Sequence, residues 1–158
     1  MPEKPKHSIL AIDDSEAEMR LMIEAARMSG LEEIAILKTY YNTEEGFAAL
    51  EQSVVEGDVI DAIFLDLNVP KMGGVELLRL IKTDKRFSHI PVFILTNSDN
   101  RGDILACIQH GADAYFQKPS NFNKFIDFFT AVRRSLERDA RISIPFIQQQ
   151  FGELRKVS

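Results

Sequence analysis

Five short apolar segments alternate along the chain with longer segments of helical period, and this alternation limits the fold more than any other feature. The apolar segments are SILAI (8–12), IAILKTY (34–40), IDAIFL (60–65), VFILT (92–96) and AYFQK (114–118). Strands that alternate with helices form parallel sheets through right-handed crossovers, which place helices on both faces. Continuously apolar runs such as AIFL and VFIL are typical of strands buried on both faces. The sequence therefore predicts an α/β fold with five parallel strands and five helices.

The helical segments carry start signals and apolar faces. Ser15 and Glu18 have the spacing of a capping box at the start of the first helix. A Phe-rich helix is predicted from about 121 to 138, and most of its apolar residues lie on one arc that faces the core. Phe128 lies at the edge of this arc, so it belongs either to the rim of the core or to an exposed contact for a second molecule.

Polar side chains stand at the ends of four of the five predicted strands. Asp13 and Asp14 follow the first strand, Asp66 follows the third, Thr96 ends the fourth and Lys118 ends the fifth. The carboxyl ends of parallel strands meet at one edge of a sheet, where the sites of open α/β folds lie. The sequence therefore predicts that three carboxylates, a hydroxyl and an ammonium converge on one rim.

Three carboxylates on one rim require positive charge. Two of them about 4 Å apart repel by roughly 4 kcal/mol at an effective dielectric near 20, and Lys118 supplies one charge only. Mg²⁺ is the expected cation, because it binds carboxylate and phosphate oxygens. A carboxylate beside Mg²⁺, a lysine and a hydroxyl describes phosphoryl transfer to an aspartate. Asp66 would attack, Mg²⁺ and Lys118 would hold the phosphoryl oxygens, and Thr96 would hydrogen-bond one of them.

Composition excludes several other classes of function. The 158 residues suit one domain, and a net charge of −5 argues against a nucleic-acid surface. The single Cys107 and the scattered His7, His89 and His110 lack the spacing of soft-metal ligands. One cysteine cannot form an internal disulfide, so we predict a reducing compartment, the cytoplasm. The start MPEKPKHSILAI predicts neither a signal peptide nor a membrane span.

The segments AIDD, FLDLNVPKMGG, ILTNS and YFQKP resemble the signature segments of the response-regulator receiver domain, the CheY-like fold. They occur in the family's order, with 30 residues from Asp66 to Thr96 and 22 from Thr96 to Lys118. The resemblance covers about residues 8–138. It implies a flavodoxin-like sheet in the strand order 2-1-3-4-5.

The resemblance also implies a role for each matching residue. The implied roles are phosphoacceptor for Asp66; Mg²⁺ ligand for Asp13, Asp14, Asp66 and the backbone carbonyl of Asn68; switch hydroxyl for Thr96; switch aromatic for Tyr115; phosphate binding for Lys118; and a cis peptide bond before Pro119. Such a protein is a phosphoacceptor of two-component signalling or a phosphorelay. It is not an enzyme, apart from intrinsic phosphotransfer and autodephosphorylation chemistry.

Two residues after the switch hydroxyl bear on the rates of this chemistry. Asn97 departs from the family, which usually has a small residue at this position, and we expect its side chain to narrow access to the phosphoryl group. Ser98 is expected to influence the access of water. Phosphorylation and dephosphorylation rates therefore do not follow from the resemblance alone.

The resemblance also points to partners. DLNVPKMGG and IPVFILTNS look most like segments of stand-alone regulators served by phytochrome-type histidine kinases. A histidine kinase and a downstream protein target are therefore the implied partners, with no nucleic acid and no membrane among them.

Two segments flank the predicted receiver domain. Residues 1–7 are predicted to be disordered, residues 8–138 form the domain, and residues 139–158 form a C-terminal extension. The extension is too short for a DNA-binding domain and too apolar for a solvated tail. It is expected to pack on its own domain or on a homodimer partner, at the fourth and fifth helices, and the sequence leaves both arrangements open.

Less specific interpretations stand beside these. Asp13 and Asp14 taken alone could cap a helix, and Tyr115 could be a core aromatic. An aspartate-nucleophile phosphohydrolase would share the Asp66 chemistry, but the second acid of its Asp-x-Asp motif is replaced here by Asn68. A receiver-like scaffold that works without phosphorylation is the other alternative. It predicts the same fold and partner binding that does not depend on Mg²⁺ or phosphate.

Overall fold

The computed structural model describes residues 6–67, 73–97, 101–119 and 121–156 of the chain. The described elements are β1 (His7–Ile12), α1 (Glu16–Met28), a 3₁₀ turn (Leu31–Glu33), β2 (Ala35–Tyr40), α2 (Thr43–Glu56), β3 (Ala62–Leu65), α3 (Gly74–Thr83), β4 (Val92–Thr96), α4 (Arg101–Gln109), β5 (Ala114–Gln117), α5 (Phe122–Asp139), α6 (Ile144–Gln150) and β6 (Arg155–Lys156). Strands and helices alternate through α5, as the apolar pattern predicts.

The described strands form one sheet in the order β2-β1-β3-β4-β5-β6. The first five strands are parallel, so the predicted order 2-1-3-4-5 is confirmed. The sixth strand is antiparallel to β5, with Lys156 opposite Ala114 and Arg155 opposite Tyr115. Neither α6 nor β6 is predicted from the sequence, because elements this short show too few periods to be recognised.

Local hydrogen bonds explain where the first two helices begin. The Ser15 hydroxyl accepts from the Glu18 N–H at 3.2 Å, and the Asn42 side chain accepts from the Glu45 N–H at 2.8 Å. Each bond satisfies a backbone donor that the helix cannot pair internally. These caps stabilise the starts of α1 and α2.

The N-terminal strand begins earlier than predicted. His7 is the first residue of β1, and its N–H donates to the Ile34 carbonyl at 2.8 Å. Its ring Nδ1 also lies 3.3 Å from an Asp61 carboxylate oxygen. The prediction of disorder over 1–7 is therefore wrong for its last residue, because the strand hydrogen bonds extend to it. Residues 1–5 lie outside the described residues.

The core on one face of the sheet contains a cluster of phenylalanine rings. Phe128 is fully buried at the centre of this cluster, with its ring centroid 4.5 Å from that of Phe116. Phe128 is therefore a core residue rather than an exposed contact. Rings within 4.5–7 Å in tilted or edge arrangements add to the burial of their apolar area. The cluster fixes α5 against the strands that carry the rim.

The C-terminal extension packs on its own domain as far as it is described. Its buried residues are Ile142, Ile147, Phe151 and Leu154, which join the core cluster of α1 and α5. A lipid bilayer needs about 20 consecutive apolar residues for a helical span, and no helix in the described part of the chain meets that requirement.

Replacement of Phe151 is predicted to destabilise the whole domain. Its ring packs at 5.5 Å from Phe116 and 5.6 Å from Phe128, between centroids, and is almost fully buried. Phe151→Ala should lower the free energy of unfolding by about 3 kcal/mol, because it leaves a cavity in the cluster. Urea denaturation followed by circular dichroism measures the change.

The matched control is Phe146→Ala, since Phe146 is half-buried on α6 and its ring faces the Arg138 guanidinium at 4.9 Å. Its loss should cost about 1 kcal/mol. Equal effects of the two substitutions would contradict the core position of Phe151.

Candidate functional site

The carboxyl ends of four parallel strands bring four predicted site residues together. Asp13 follows β1, Asp66 follows β3, Thr96 ends β4 and Lys118 follows β5. All four are buried, with exposed fractions of 0, 5, 2 and 8%. The backbone fixes their spacing, because the Asp66 N–H donates to the Ile12 carbonyl and the Lys118 N–H to the Thr96 carbonyl.

The Lys118 ammonium lies at the centre of three carboxylates. Its Nζ donates to Asp13 Oδ2 at 2.5 Å, to Glu18 Oε2 at 2.5 Å and to Asp66 Oδ2 at 2.9 Å. An ammonium group has three N–H donors, and three carboxylates therefore account for all of them. The buried positive charge is fully hydrogen-bonded, as a buried charge must be.

Burial and ion pairing act in opposite directions on the titrating groups. Desolvation is the largest influence on Asp13 and raises its pKa from 3.8 to about 6, although hydrogen bonds from Lys118 and the Ser15 N–H oppose the rise. For Glu18, hydrogen bonds from Lys118 and Asn97 outweigh desolvation and lower the pKa. Burial would lower the pKa of Lys118, but its bonds to the carboxylates raise it. Additional positive charge beside Asp13 would therefore be stabilising.

Glu18 is the member of this cluster that the sequence did not predict. The Ser15-x-x-Glu18 pattern indicates a capping box, in which the glutamate side chain would turn back to the Ser15 N–H. The Ser15 N–H instead donates to Asp13 Oδ1 at 2.9 Å, and the Glu18 carboxylate reaches Lys118. The one sequence feature that indicates this contact is the position of Glu18 on the first turn of a helix that starts at the rim.

A second bond holds the Glu18 carboxylate from the loop after β4. The Asn97 Nδ2 donates to Glu18 Oε1 at 2.7 Å. Asn97 is exposed and directly follows Thr96. Its side chain therefore crosses the mouth of the site, at the position where the sequence predicts narrowed access.

The acidic residues of the rim fit a hard divalent cation. Asp13, Glu18 and Asp66 each offer a carboxylate oxygen, and these oxygens lie within 4.8 Å of one another. Oxygen donors of this kind suit Mg²⁺ or Mn²⁺ rather than a soft metal. Asp14, predicted as a ligand, is exposed and not among these three residues, since the chain turns its side chain outward before α1.

Several other predicted positions have different outcomes. Asn68 and Ser98 lie outside the described residues. The Lys118–Pro119 peptide bond is trans, so the predicted cis bond is wrong. Trans is the more stable isomer of an X-Pro bond by about 0.5–1 kcal/mol, and residue types alone do not specify the isomer. Tyr115 is partly buried and packs on the core under α3 and α4.

A cavity of about 500 Å³ connects the rim to the C-terminal extension. Thr96, Tyr115 and Lys118 line it on the side of the rim, and Glu153 and Arg155 line it on the side of the extension. Because β6 pairs with β5 at Tyr115, the extension contacts the same strand that carries Lys118 at its end.

Comparison with known proteins gives matches over most of the chain. The model of the response regulator receiver domain matches residues 9–130. A curated relative, the polar-differentiation response regulator DivK of Brucella ovis, is 30% identical over 120 residues, which cover 76% of this chain and 90% of the relative. The family match runs from Ile9 in β1 to Thr130 in the middle of α5, and thus includes the carboxyl end of every strand that contributes to the rim.

Solved structures with related sequences share the fold. The phosphorylated cyanobacterial phytochrome response regulator RcpA is 27% identical, with a TM-score of 0.74 over 87% of this chain and 98% of that chain. The Mn²⁺-bound form of response regulator Rcp1 is 29% identical, with a TM-score of 0.71 over the same shares of the two chains. These similarities cover a larger share of the chain than the family match does.

Proposed function

The chain belongs to the response-regulator receiver family, and from this membership we propose that Asp66 accepts a phosphoryl group from a histidine kinase. As a receiver domain it is a component of two-component signalling rather than a conventional enzyme. The observation that carries the proposal is the Lys118 ammonium, which pairs with Asp66 and Asp13 at the carboxyl edge of the sheet.

The proposed reaction moves one phosphoryl group between two side chains. An Asp66 carboxylate oxygen attacks the phosphorus of a phosphohistidine, a P–O bond forms, and the P–N bond breaks. The electron pair of the broken bond stays on the imidazole nitrogen, which then takes a proton from solvent. Lys118 would hold a phosphoryl oxygen, and Thr96 would donate a hydrogen bond to another.

A divalent cation completes the proposed chemistry. Asp13 and Asp66 would hold Mg²⁺, together with Asp14 and the Asn68 carbonyl that the family resemblance adds. When bound, Mg²⁺ supplies charge neutralisation for the phosphoryl oxygens. The donor set of the rim supports this assignment, as does the Mn²⁺-bound form of the similar protein Rcp1.

The proposed output is a change of surface on the side of β5. Phosphorylation of Asp66 would draw Thr96 toward the phosphoryl group and shift the population of a surface that includes Tyr115. The cavity between Thr96, Tyr115 and the extension leaves room for such a movement. Because β6 pairs with β5 at Tyr115, the extension would move with this surface.

The proposed kinase is of the phytochrome type. The similarity to the cyanobacterial phytochrome response regulator RcpA supports this choice, as do the sequence segments on either side of Asp66 and Thr96. A homodimer through α4, α5 and the C-terminal tail stays a prediction. The large apolar side chains of Leu105 and Ile108 on α4 are exposed and support it. Location in the cytoplasm also stays a prediction.

Phosphotransfer from a purified kinase tests the proposal. A phytochrome-type histidine kinase carrying radiolabelled phosphate on its histidine is mixed with this chain in Mg²⁺ or in EDTA. Label should pass to this chain within minutes in Mg²⁺ and remain on the kinase in EDTA. Retention of all label on the kinase in Mg²⁺, with kinase binding that is equal in both buffers, would instead favour the phosphorylation-independent scaffold.

A further inference from the structure

The Lys118 ammonium is occupied before any phosphoryl group arrives. Its three N–H groups donate to Asp13, Glu18 and Asp66. A phosphoryl oxygen that binds Lys118 must therefore replace one of these three carboxylates. Which of the three carboxylates gives up its bond to Lys118 therefore depends on the structure of this site.

Glu18 is the carboxylate that can leave at the lowest cost. Its side chain is 31% exposed, whereas the side chains of Asp13 and Asp66 are 1% and 6% exposed. A carboxylate that loses a buried partner without reaching water carries a large desolvation penalty. Glu18 can rotate into solvent, while the other two stay buried at the ends of their strands.

The Asn97 side chain opposes the departure of the Glu18 carboxylate from Lys118. One Glu18 oxygen accepts from Lys118 and the other accepts from Asn97, so both oxygens of the carboxylate are engaged. The two donors come from the loop after β4 and from the end of β5. Asn97 therefore ties Glu18 to the residue that directly follows Thr96, and movement of Thr96 would loosen this tie.

We propose that Glu18 is a positioning residue that holds Lys118 away from the phosphoryl group in the resting protein, and that Asn97 fixes Glu18 in this position. The inference rests on the proposed phosphorylation of Asp66. Glu18 and the phosphoryl oxygens compete for one N–H of Lys118. The Glu18–Asn97 pair thus sets how strongly the chain accepts a phosphoryl group, and it does so without contacting the acceptor itself.

The test uses beryllofluoride, a mimic of the phosphoryl group on an aspartate, in the presence of Mg²⁺. Glu18→Gln removes the carboxylate charge and leaves one amide oxygen for the two donors, Asn97 and Lys118, so the charge-assisted bond to the ammonium is lost. This variant should bind beryllofluoride about three- to tenfold more tightly than the wild type, as measured by ¹⁹F NMR titration.

Glu16→Gln is the control, because exposed Glu16 on the same helical turn pairs with Arg20 instead. It should bind like the wild type.

Two further measurements separate positioning from a general effect of charge. Asn97→Ala leaves the Glu18 charge in place, and it should tighten the binding of beryllofluoride by a smaller factor than Glu18→Gln does. The double variant, which carries both Asn97→Ala and Glu18→Gln, should bind beryllofluoride no more tightly than Glu18→Gln alone, since both substitutions release the same contact. In the absence of beryllofluoride, the ¹⁵N signal of the Lys118 ammonium should shift, and its protons should exchange faster, in Glu18→Gln and to a smaller extent in Asn97→Ala, but not in Glu16→Gln.

The outcomes distinguish this inference from the proposed function. Equal beryllofluoride affinities of the wild type and Glu18→Gln, or an unchanged Lys118 signal, would overturn the role of Glu18. Additive effects of Glu18→Gln and Asn97→Ala would overturn the role of Asn97. Failure of the wild type to bind beryllofluoride would count against the acceptor function, and the Lys118 signal would still decide whether Glu18 holds the ammonium.

Discussion

Asp66→Asn is expected to abolish labelling of the chain by acetyl phosphate in Mg²⁺, while the wild type gains one phosphoryl group. The amide oxygen of asparagine is not a nucleophile that can form a stable acyl phosphate. The fold should persist, because Lys118 keeps its bonds to Asp13 and Glu18. Intact-protein mass spectrometry after incubation measures the adduct, and circular dichroism checks the fold.

The control for this substitution is Asp127→Asn, at an exposed position on α5. It makes the same change of charge away from the rim and should label like the wild type. An adduct of equal yield on Asp66→Asn would show that the phosphoryl group is carried elsewhere.

Lys118→Met is expected to destabilise the protein by about 3–5 kcal/mol at neutral pH. The ammonium is buried with 3% of its side chain exposed, and it is the shared partner of Asp13, Glu18 and Asp66. Its removal leaves carboxylates buried without their cation, which costs more than the loss of an exposed ion pair. Urea denaturation at pH 7 measures the effect, and Mg²⁺ should restore part of the lost stability.

The loss in the free energy of unfolding caused by Lys118→Met should become smaller as the pH falls. In the wild type the folded-state pKa of Asp13 is about 6, above its ordinary value of 3.8, so its ionisation disfavours the folded state. This unfavourable contribution is complete above about pH 6 and disappears below about pH 4. Without Lys118 the pKa of Asp13 should rise further, because its hydrogen bond from the ammonium is gone. Protonation at pH 5 should therefore recover stability in Lys118→Met.

Lys124→Met provides the matched control for Lys118→Met. Lys124 is about half-exposed and pairs with Glu153 on the surface, so its replacement should change the free energy of unfolding by about 1 kcal/mol or less. If Lys118→Met lowers the free energy of unfolding by as little as this, or by more as the pH falls, the electrostatic account of the rim is contradicted.

The fold and most of the rim could be predicted from the sequence, since both depend on local patterns and on one rule of topology. Continuously apolar segments indicate buried strands. The carboxyl ends of parallel strands meet at one edge, so residues that follow different strands must converge. Asp13, Asp66, Thr96 and Lys118 are each adjacent to a strand end. Their convergence therefore followed from sequence position alone.

The parts that could not be predicted depend on contacts between distant residues. Glu18 fits a helix cap equally well, and only the position of Lys118, 100 residues away, turns its carboxylate to the rim. The helix α6 and strand β6 are short, and they form because Phe151 and Leu154 pack under α5 and β5.

Chemical mapping of the phosphorylated residue tests the central claim most directly. The wild-type chain is incubated with acetyl phosphate and Mg²⁺ and then treated with borohydride, which reduces an acyl phosphate to an alcohol and converts the labelled aspartate to homoserine. Peptide mass spectrometry is expected to find homoserine at position 66. Reduction at Asp13 or Asp14 instead, or no reduced residue on a chain that carries the phosphoryl mass, would contradict the assignment of Asp66 as the phosphoacceptor.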